Sequence, residues 1–290
     1  MHIADAELDR LIAEDVPFGD LTTEALGLGA CPARITFAAR SPLVACCTEE
    51  AARLLTRLGA VVEGPVTPSG TMAPPGTPLL AASGPAAGIF AAWKIAQTLV
   101  EWASGIATAT RDLVDAAHAV APGIQIACTR KTVPLTRAFS AKAVKAGGGI
   151  LHRVGLSETV LVFPEHRALL GGEAPAAILA RLRQSAPERA LVIEVTTVDD
   201  ALAVAEAADV IQLEKFAPAE VARVVARIEK RADRRPIIAA AGGIGPGNVA
   251  AYAASGADVL VTSSPYTSRP SEVQVRISPV HVSSDKGSPS

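Results

Sequence analysis

The sequence predicts an α/β protein in which a small N-terminal α+β domain is followed by an incomplete parallel (β/α) barrel. From about residue 106, short apolar runs alternate with helical stretches, which is typical of a buried parallel sheet. Before that point the extended runs are separated by dense Pro and Gly, which favours turns and short antiparallel strands. No GxGxxG follows the first apolar run of the second part, so a barrel is favoured over a doubly wound sheet.

The domain boundaries follow from this change of pattern. We expect an N-terminal domain over 1–105 and a barrel domain over 106–270, with the chain returning to the first domain near 270–280. The last residues, 279–290, are polar and are predicted to be a disordered tail.

Helices in the first part are indicated by apolar residues at helical spacing. The segment 17–20 contains Pro and Gly and ends the first helix, and 21–24 is expected to be a loop. A change of pattern near Ser104 predicts that one helix ends there and another begins. The expected helices are 5–16, 49–58, 86–103 and 108–119.

The second part contains six clear apolar runs, and a seventh strand is expected near 149–154. Seven is fewer than the eight strands of a complete barrel. The six runs are 124–128, 160–163, 191–195, 210–213, 237–240 and 259–262. Helices are expected between most of them, over 175–184, 199–207, 217–231 and 246–255.

Composition excludes several classes of protein. A net charge of −2 over 290 residues argues against a general nucleic-acid binder. No run approaches about 18 apolar residues, so no membrane span is expected. The N-terminus is acidic and amphipathic, unlike a secretory signal, and the four cysteines show no CxxC spacing. We therefore expect reduced thiols and a cytoplasmic location.

Cations are concentrated in one stretch. Between Ala116 and Ser157 there is no Asp or Glu. Guanidinium and ammonium groups suit carboxylate and phosphate, so this stretch predicts a pocket for an anionic small molecule. Its cations are Arg130, Lys131, Arg137, Lys142, Lys145 and Arg153, with His152 beside the last. The three that fall on a predicted helix, at 137, 142 and 145, are expected to form a solvated face instead.

Further polar groups stand at the expected carboxyl ends of the later strands, where barrel enzymes place their chemistry. Glu194 and Glu214 end two of these strands, and oxygen ligands of this kind suit Mg²⁺. Two later loops offer backbone N–H groups to a phosphate, with a helix expected from Pro246. Their residues are Ala241, Gly242 and Gly243 in the first, and Ser263 and Ser264 in the second. Cys128, at the end of the first strand, is expected to be inert packing.

The chain resembles the quinolinate phosphoribosyltransferase (nicotinate-nucleotide pyrophosphorylase) family over nearly its whole length. The motifs are PFGDLTTE at 17–24, SGIAT at 104–108, TRKT at 129–132, GGG at 147–149 with HR at 152–153, GLSETVLV at 155–162, IEV at 193–195, LEKF at 213–216 and AGGI at 241–244. The resemblance implies an N-terminal sandwich domain, an incomplete barrel, and a homodimer whose active site is completed by the partner's N-terminal domain.

The resemblance also implies roles for individual residues. Arg130, His152 and Arg153 match binders of an aromatic dicarboxylate, and Lys131 matches a contact to phosphoribosyl pyrophosphate. Glu194 and Glu214 match carboxylates that face the ribose and its Mg²⁺, although the family usually has Asp at the second. The 241–244 and 263–264 loops match a 5′-phosphate cradle.

Further positions depart from the family pattern. Lys94 stands where an Arg would hold a substrate carboxylate, and Phe163 replaces a Lys of the pocket. Leu135 and Ser263 each replace a Gly. The segments WKIAQT at 93–98, EWASGIAT at 101–108, LVFPEH at 161–166 and LEKF at 213–216 resemble the ModD branch, the pyrophosphorylase-like proteins associated with molybdate transport.

Three functions are therefore considered. The first is a ModD-like phosphoribosyltransferase acting on an anionic acceptor other than quinolinate, with Lys94 supplied by the partner subunit. The second is an authentic quinolinate phosphoribosyltransferase of NAD synthesis. The third is a non-catalytic oxyanion-binding protein of molybdenum metabolism on a retired enzyme scaffold.

Overall fold

The computed structural model describes residues 1–229 and 235–280 and divides into two compact units. Among the described residues, unit 1 comprises Met1–Thr108 together with 269–280, and unit 2 comprises Ala109–Ser268. None of the helices in the described ranges is long and apolar enough to cross a bilayer.

The elements are numbered in chain order. The helices are α1 (Asp5–Asp15), α2 (Leu21–Ala25), α3 (Thr48–Arg57), α4 (Ala86–His118), α5 (Arg137–Ala146), α6 (Pro164–Ala168), α7 (Pro175–Ser185), α8 (Val198–Ala203), α9 (Pro218–Glu229) and α10 (Val249–Ala253). The strands are β1 (Pro32–Ala39), β2 (Leu43–Val44), β3 (Val61–Glu63), β4 (Met72–Ala73), β5 (Pro78–Pro85), β6 (Gln125–Cys128), β7 (Ile150–Leu151), β8 (Val160–Val162), β9 (Leu191–Val195), β10 (Val210–Glu214), β11 (Ile237–Ala241), β12 (Val259–Thr262) and β13 (Val273–Pro279).

Unit 1 is built on a four-stranded antiparallel sheet in the order β13-β1-β5-β3. Side chains of β1 alternate between buried and more exposed, and Ile35 and Phe37 fill the buried face. This period of two is what a sheet with one covered face requires. Helix α3 is amphipathic, and its apolar face is buried in the same unit.

Two predictions for the first part are corrected. The segment 21–24, expected to be a loop, forms α2, because the Asp20 carboxylate accepts hydrogen bonds from the N–H groups of Thr22 and Thr23 and caps the helix. The two helices expected on either side of Ser104 are one helix of 33 residues, α4. Gly105 does not break it; a Cβ at this position would lie 2.4 Å from the Arg269 carbonyl oxygen, so the glycine permits close packing.

Unit 2 contains a parallel sheet of seven strands in the order β7-β6-β12-β11-β10-β9-β8. The expected seventh strand is β7, at Ile150–Leu151. The sheet keeps two edges, β7 and β8, and the segment 152–159 connects them. The prediction of an incomplete barrel is therefore confirmed.

The two faces of the parallel sheet differ in the size of their side chains. Alternate residues such as Ile193, Ile211 and Leu213 point to the large core beneath the helices. The opposite face carries small residues, Ala127, Ala239, Ala241 and Val261. Small side chains on this inner face leave space above it.

Three further expectations are corrected. A solvated face is expected for Lys142, but this residue is 7% exposed and lies in the buried stretch of α5 from Phe139 to Val144. A disordered tail is expected from Pro279, but this residue ends β13 and pairs with Ala33. The helix expected from Pro246 begins at Val249. Two parts of these predictions lie outside the described residues: the remainder of the tail, 281–290, and residues 230–231 of the predicted helix 217–231.

Candidate active site

A cavity of about 580 Å³ opens at the carboxyl ends of the parallel strands of unit 2. It brings together every candidate residue that the sequence indicated in this unit. These are Arg130, Lys131, His152, Arg153, Glu194, Glu214, Ala241, Gly242, Gly243, Ser263 and Ser264. Residues as far apart in the chain as Arg130 and Ser264 therefore share one site, because parallel strands end at the same edge of their sheet.

Two carboxylates stand on the inner face of neighbouring strands. Glu194 lies on β9 and Glu214 at the end of β10, and both line the cavity. Burial raises the pKa of Glu194 above the usual range for glutamate, and the negative charge of Glu214 raises it further. The two carboxylates therefore interact, and a cation between them would relieve their repulsion.

Gln212 is a site residue that is not among the candidates drawn from the sequence. It lies on β10 directly beside Glu194 of β9 and is 5% exposed. Its Nε2 donates a hydrogen bond of 2.7 Å to Glu194 Oε2. The sequence does contain an indication of this role. Gln212 is a polar residue inside the apolar run VIQLE, and it lies two positions before Glu214, so both side chains point to the same face of the strand.

Three basic side chains occupy one end of the cavity. Arg130 follows β6, and His152 and Arg153 follow β7, which pairs with β6. Burial lowers the pKa of His152, and the charges of Arg153 and Arg130 lower it further. A hydrogen bond with the Gln212 side chain acts in the opposite direction and raises the pKa. His152 is thus held neutral beside two guanidinium groups, which leaves those groups to carry the positive charge of this end.

Phe163 also lines the cavity, which settles the direction of this side chain. The Arg153 guanidinium carbon lies 5.8 Å from the centre of the Phe163 ring, within the range of a cation–π contact. The His166 ring stacks against Phe163 at 5.7 Å between ring centres, and His166 Nδ1 accepts a hydrogen bond from the Phe163 N–H. The aromatic ring is therefore held in place at the basic end of the site.

The loop after β11 presents backbone N–H groups to the cavity. Gly242 has φ +95°, and a Cβ there would lie 2.8 Å from the backbone nitrogen of Lys215. Hydrogen bonds among the described residues use none of the N–H groups of Gly242, Gly243 and Ile244. Unpaired N–H groups at the rim of a cavity are suited to bind phosphate oxygens.

Asn248 holds this loop and was not identified from the sequence. Its Oδ1 accepts a hydrogen bond of 2.8 Å from the Gly245 N–H, and its Nδ2 donates one of 3.0 Å to the Gly243 carbonyl. These bonds keep 245–248 as a turn, which is why α10 begins three residues later than expected. They also mean that the Gly245 N–H is occupied and is not available to a ligand.

The loop that carries Lys131 contains a residue in an unfavourable backbone conformation. Lys131 is exposed, and its N–H donates to Thr129 Oγ1 at 3.2 Å. Leu135 has φ +67°, in the left-handed region that favours glycine, and its residue is 78% exposed. Leu135, which replaces a Gly of the family pattern, therefore keeps a backbone conformation that a glycine would adopt without strain.

Lys94 is the one candidate residue that lies in unit 1. It is exposed on α4, its Nζ is 4.2 Å from the centre of the Trp93 ring, and it donates a hydrogen bond of 3.2 Å to Gln97 Oε1. It lines a separate cavity of about 540 Å³ within that unit, together with Asp20 and Phe90.

Cys128 behaves as expected of a packed thiol. It is fully buried at the end of β6, and burial raises its pKa to about 12. A thiol that stays protonated at neutral pH is a poor nucleophile. The candidate chemistry therefore belongs to the carboxylates, the cations and the N–H groups.

The site residues fit a Mg²⁺ ion held partly by substrate. Glu194 and Glu214 offer two oxygen ligands, while no group of three or more His, Cys, Asp or Glu residues that could hold a metal is found among the described residues. Mg²⁺ commonly uses one or two carboxylates and completes its shell with water and substrate phosphates.

Comparison with known proteins gives the family. Residues 106–273 match the C-terminal domain of quinolinate phosphoribosyl transferase, and residues 20–104 match its N-terminal domain. A protein from Rhodobacter capsulatus named ModD pyrophosphorylase is 51% identical over 249 residues, which are 86% of this chain and 95% of that protein. One from Methanothermobacter thermautotrophicus, named as a carboxylating nicotinate-nucleotide pyrophosphorylase, is 32% identical over 253 residues, 87% of this chain and 90% of the relative.

Solved structures agree on the fold. NadC from Streptococcus pyogenes superposes with a TM-score of 0.87 at 23% identity and covers 96% of this chain and 98% of its own. The resemblance to the family and to its ModD branch is confirmed by these matches. The chain belongs to the quinolinate phosphoribosyl transferase family and is a pentosyltransferase.

Proposed function

We propose that this enzyme transfers the phosphoribosyl group of phosphoribosyl pyrophosphate to an anionic acceptor other than quinolinate. The observation that carries the proposal is Phe163. Its ring lines the basic end of the cavity at the position where the family pattern has a Lys. Replacing a cation by an aromatic ring removes one charge that would hold a dicarboxylate and adds a surface on which a planar molecule stacks.

The cavity divides into two ends by its chemistry. Arg130, His152 and Arg153 would hold the acceptor at the basic end. Lys131, the N–H groups of the 241–244 loop and the 263–264 loop would hold the phosphates of the donor. This division supports a transfer between a nucleophilic acceptor atom and C1 of the ribose, because both substrates would meet beside the carboxylates.

Charge at the reacting carbon is the central demand of this reaction. As the bond from C1 to the pyrophosphate oxygen breaks, the ribose ring gains positive character. Glu194 and Glu214 supply negative charge on the face of the sheet where the ribose would lie. Both carboxylates would also ligate Mg²⁺, which when bound supplies positive charge to the pyrophosphate leaving group.

The test is pyrophosphate release from phosphoribosyl pyrophosphate and Mg²⁺ with quinolinate, nicotinate and a series of anionic aromatic compounds offered separately. We expect release with at least one monoanionic aromatic compound and none with quinolinate. Calorimetry that detects no binding of phosphoribosyl pyrophosphate in the presence of Mg²⁺ would refute the proposal.

Glu194→Gln tests the role of the carboxylate in the same assay. Gln keeps the shape and can still accept the hydrogen bond from Gln212, so the variant is expected to fold. Loss of the charge is expected to lower kcat by about 10²- to 10³-fold, as removal of one electrostatic group does in other enzymes. Glu206→Gln, at an exposed position of unit 2, is the matched control and should leave kcat unchanged.

The second candidate is quinolinate phosphoribosyltransferase activity. It is favoured by the basic end of the cavity, which keeps Arg130, His152 and Arg153 together. It is also favoured by the relative named as a nicotinate-nucleotide pyrophosphorylase. Consumption of quinolinate with release of CO₂ and pyrophosphate would establish this candidate in place of the first.

The association with molybdenum that the ModD resemblance implies stays a prediction. An oxyanion-binding protein would bind molybdate in a calorimetric titration, and would do so equally well after Glu194→Gln. Molybdate binding without phosphoribosyl transfer to any acceptor would favour that function over both enzymatic candidates.

A further inference from the structure

Two buried hydroxyl groups at the end of β12 join the loops that line the cavity. Strand β12 lies between β6 and β11 in the parallel sheet, and the residues that follow all three strands line the cavity. The hydroxyl groups belong to Thr262 and Tyr266, which are 4% and 7% exposed. One bonds to the loop after β11 and the other to the loop after β6, so the end of β12 connects both neighbours.

Thr262 joins the loop after β11 to the loop after β12. Its Oγ1 donates a hydrogen bond of 2.6 Å to the Ile244 carbonyl and accepts one of 3.0 Å from the Ser264 N–H. A hydroxyl group has a single proton, so Thr262 has no donor left for a ligand although it lines the cavity. Its effect on a ligand is therefore exerted through the two loops.

The carbonyl that Thr262 holds belongs to a peptide unit that is also held at its other end. The Ile244 carbonyl and the Gly245 N–H share one planar unit, and this N–H donates to Asn248 Oδ1 at 2.8 Å. The preceding unit is held at the Gly243 carbonyl by Asn248 Nδ2, which fixes the direction of the Ile244 N–H, since a trans unit points the two groups oppositely. Thr262 and Asn248 together therefore orient this loop before a ligand binds.

Tyr266 joins the end of β12 to the segment that carries two cations. It lies on the 3₁₀ turn Ser264–Thr267, and its hydroxyl donates a hydrogen bond of 2.8 Å to the Thr129 carbonyl. Burial raises the pKa of this phenol above its usual range, so the hydroxyl keeps its proton and remains a donor. The Thr129 carbonyl shares a planar peptide unit with the Arg130 N–H, and Thr129 Oγ1 accepts the Lys131 N–H at 3.2 Å. Tyr266 therefore fixes the start of this segment.

We propose that Thr262 and Tyr266 are positioning residues that hold these loops in the arrangement that binds the phosphate groups of phosphoribosyl pyrophosphate. Thr262 orients the loops after β11 and β12, which would receive the 5′-phosphate, and Tyr266 orients Lys131, which would receive the pyrophosphate. Loops already held in their binding conformation lose less entropy when a ligand binds, so each hydroxyl contributes to affinity without touching the ligand. The inference rests on the proposed function, because it assigns positioning roles in the same donor site.

Calorimetry with two partial ligands measures the two roles separately. Ribose 5-phosphate carries only the 5′-phosphate, and inorganic pyrophosphate with Mg²⁺ carries only the diphosphate. Thr262→Val removes the hydroxyl and keeps the branched shape. We expect it to raise the Kd for ribose 5-phosphate about tenfold and to change the Kd for pyrophosphate less than about twofold. Thr262→Ser keeps the hydroxyl and should retain the wild-type affinity for both ligands.

Tyr266→Phe removes only the phenolic oxygen and should give the opposite pattern, with a raised Kd for pyrophosphate and an unchanged Kd for ribose 5-phosphate. Tyr252→Phe is the matched control. Tyr252 is the only other tyrosine of the chain, is also 7% exposed, and also donates to a backbone carbonyl, that of Phe216, at 2.9 Å. It is not one of the residues that line the cavity, so the control should lose comparable stability and bind both ligands as the wild type does.

The crossed pattern separates positioning from a general loss of structure, because a distorted fold would weaken both ligands alike. Wild-type affinity of Thr262→Val for ribose 5-phosphate, or of Tyr266→Phe for pyrophosphate, would overturn the proposal. Equal weakening of both ligands in either variant, or a wild-type protein that binds neither ligand, would overturn it as well. If urea unfolding shows that Thr262→Val does not fold, the comparison of Tyr266→Phe with Tyr252→Phe decides the proposal.

Pyrophosphate release from phosphoribosyl pyrophosphate is measured on the wild type in parallel, so that the two proposals can fail separately. A crossed pattern of affinities without transfer to any acceptor would retain the positioning roles and refute the proposed function. Transfer to an acceptor without the crossed pattern would retain the function and refute the roles of Thr262 and Tyr266.

Discussion

At the scale of single residues, the basic end of the cavity concentrates positive charge while keeping its imidazole neutral. Burial of His152 opposes protonation, and the adjacent Arg153 and Arg130 oppose it further, whereas Gln212 acts in the other direction. The pKa of His152 is therefore lower in the folded protein than the value of 6.5 for an exposed histidine. An acceptor whose anionic group binds here therefore meets two permanent guanidinium charges and a neutral imidazole.

This lowered pKa has a consequence for stability. Below about pH 6.5 the unfolded chain binds a proton at His152 that the folded protein does not, so protonation favours unfolding. The free energy of unfolding should therefore fall as the pH decreases through this range, and His152→Asn should remove that part of the decrease. Urea unfolding at about pH 8 and about pH 5 measures the difference between the two proteins.

Glu194 contributes in the opposite sense, because its raised pKa lets the folded protein bind a proton before the unfolded chain does. The contribution of His152 is therefore taken as the difference between the wild type and His152→Asn in the pH-dependent decrease of the free energy of unfolding. An equal or steeper decrease in the variant would contradict the assignment. His118→Asn is the control, since this histidine lies at the end of α4 and contacts the Ile124 carbonyl outside the cavity.

At the scale of elements, the loop after β11 contains two adjacent glycines that the structure requires for different reasons. Both have positive φ, +95° at Gly242 and +80° at Gly243. A Cβ at Gly242 would meet Lys215 N at 2.8 Å and Glu214 Oε1 at 3.0 Å, whereas one at Gly243 would meet no atom within 4 Å. Only the first glycine is required by the packing of the loop against β10.

We therefore expect the two alanine variants to differ. Gly243→Ala should lower the free energy of unfolding by about 1 kcal/mol, the cost of a left-handed backbone, and should still bind phosphoribosyl pyrophosphate. Gly242→Ala adds a collision with backbone and should cost about 2–4 kcal/mol. Denaturant unfolding and calorimetry of phosphoribosyl pyrophosphate binding measure both effects. Equal losses in the two variants would show that the contact with Lys215 is not what fixes the loop.

The elements also show how far sequence alone could predict this protein. The parallel strands were predictable because each is a short apolar run, and Glu194 and Glu214 were predictable because they end such runs. Asn248 was missed because its role depends on two hydrogen bonds that fold the loop back on itself. Gln212 was missed because a polar residue in the middle of a strand acquires meaning only when the neighbouring strand is known.

At the scale of the whole molecule, unit 1 exposes apolar side chains around its own cavity. In unit 1, Phe18 is 96%, Leu21 80% and Leu26 64% exposed, and the last two line the same cavity as Lys94. Exposed apolar side chains gathered around a cavity mark a surface that another protein covers. We propose that the partner subunit of a homodimer covers it, and that Lys94 serves the active site of that partner.

Mixing two inactive variants tests this sharing. Lys94→Ala removes the residue that one subunit would contribute to its partner's active site. Glu194→Gln inactivates the site to which that residue would be contributed. Each homodimer should be inactive, whereas dissociation and random re-pairing should restore about a quarter of the wild-type activity, because half of the dimers are mixed and each has one intact site.

The matched control mixes Lys94→Ala with the double variant Lys94→Ala/Glu194→Gln, in which no pairing supplies the lysine, and no activity should return. Mass spectrometry of the intact complexes shows whether mixed dimers have formed. Mixed dimers without recovered activity would mean that each subunit uses its own Lys94 or none. A Lys94→Ala homodimer with full activity would exclude the lysine from the site altogether, and in either case the two surfaces of the chain would have to be explained separately.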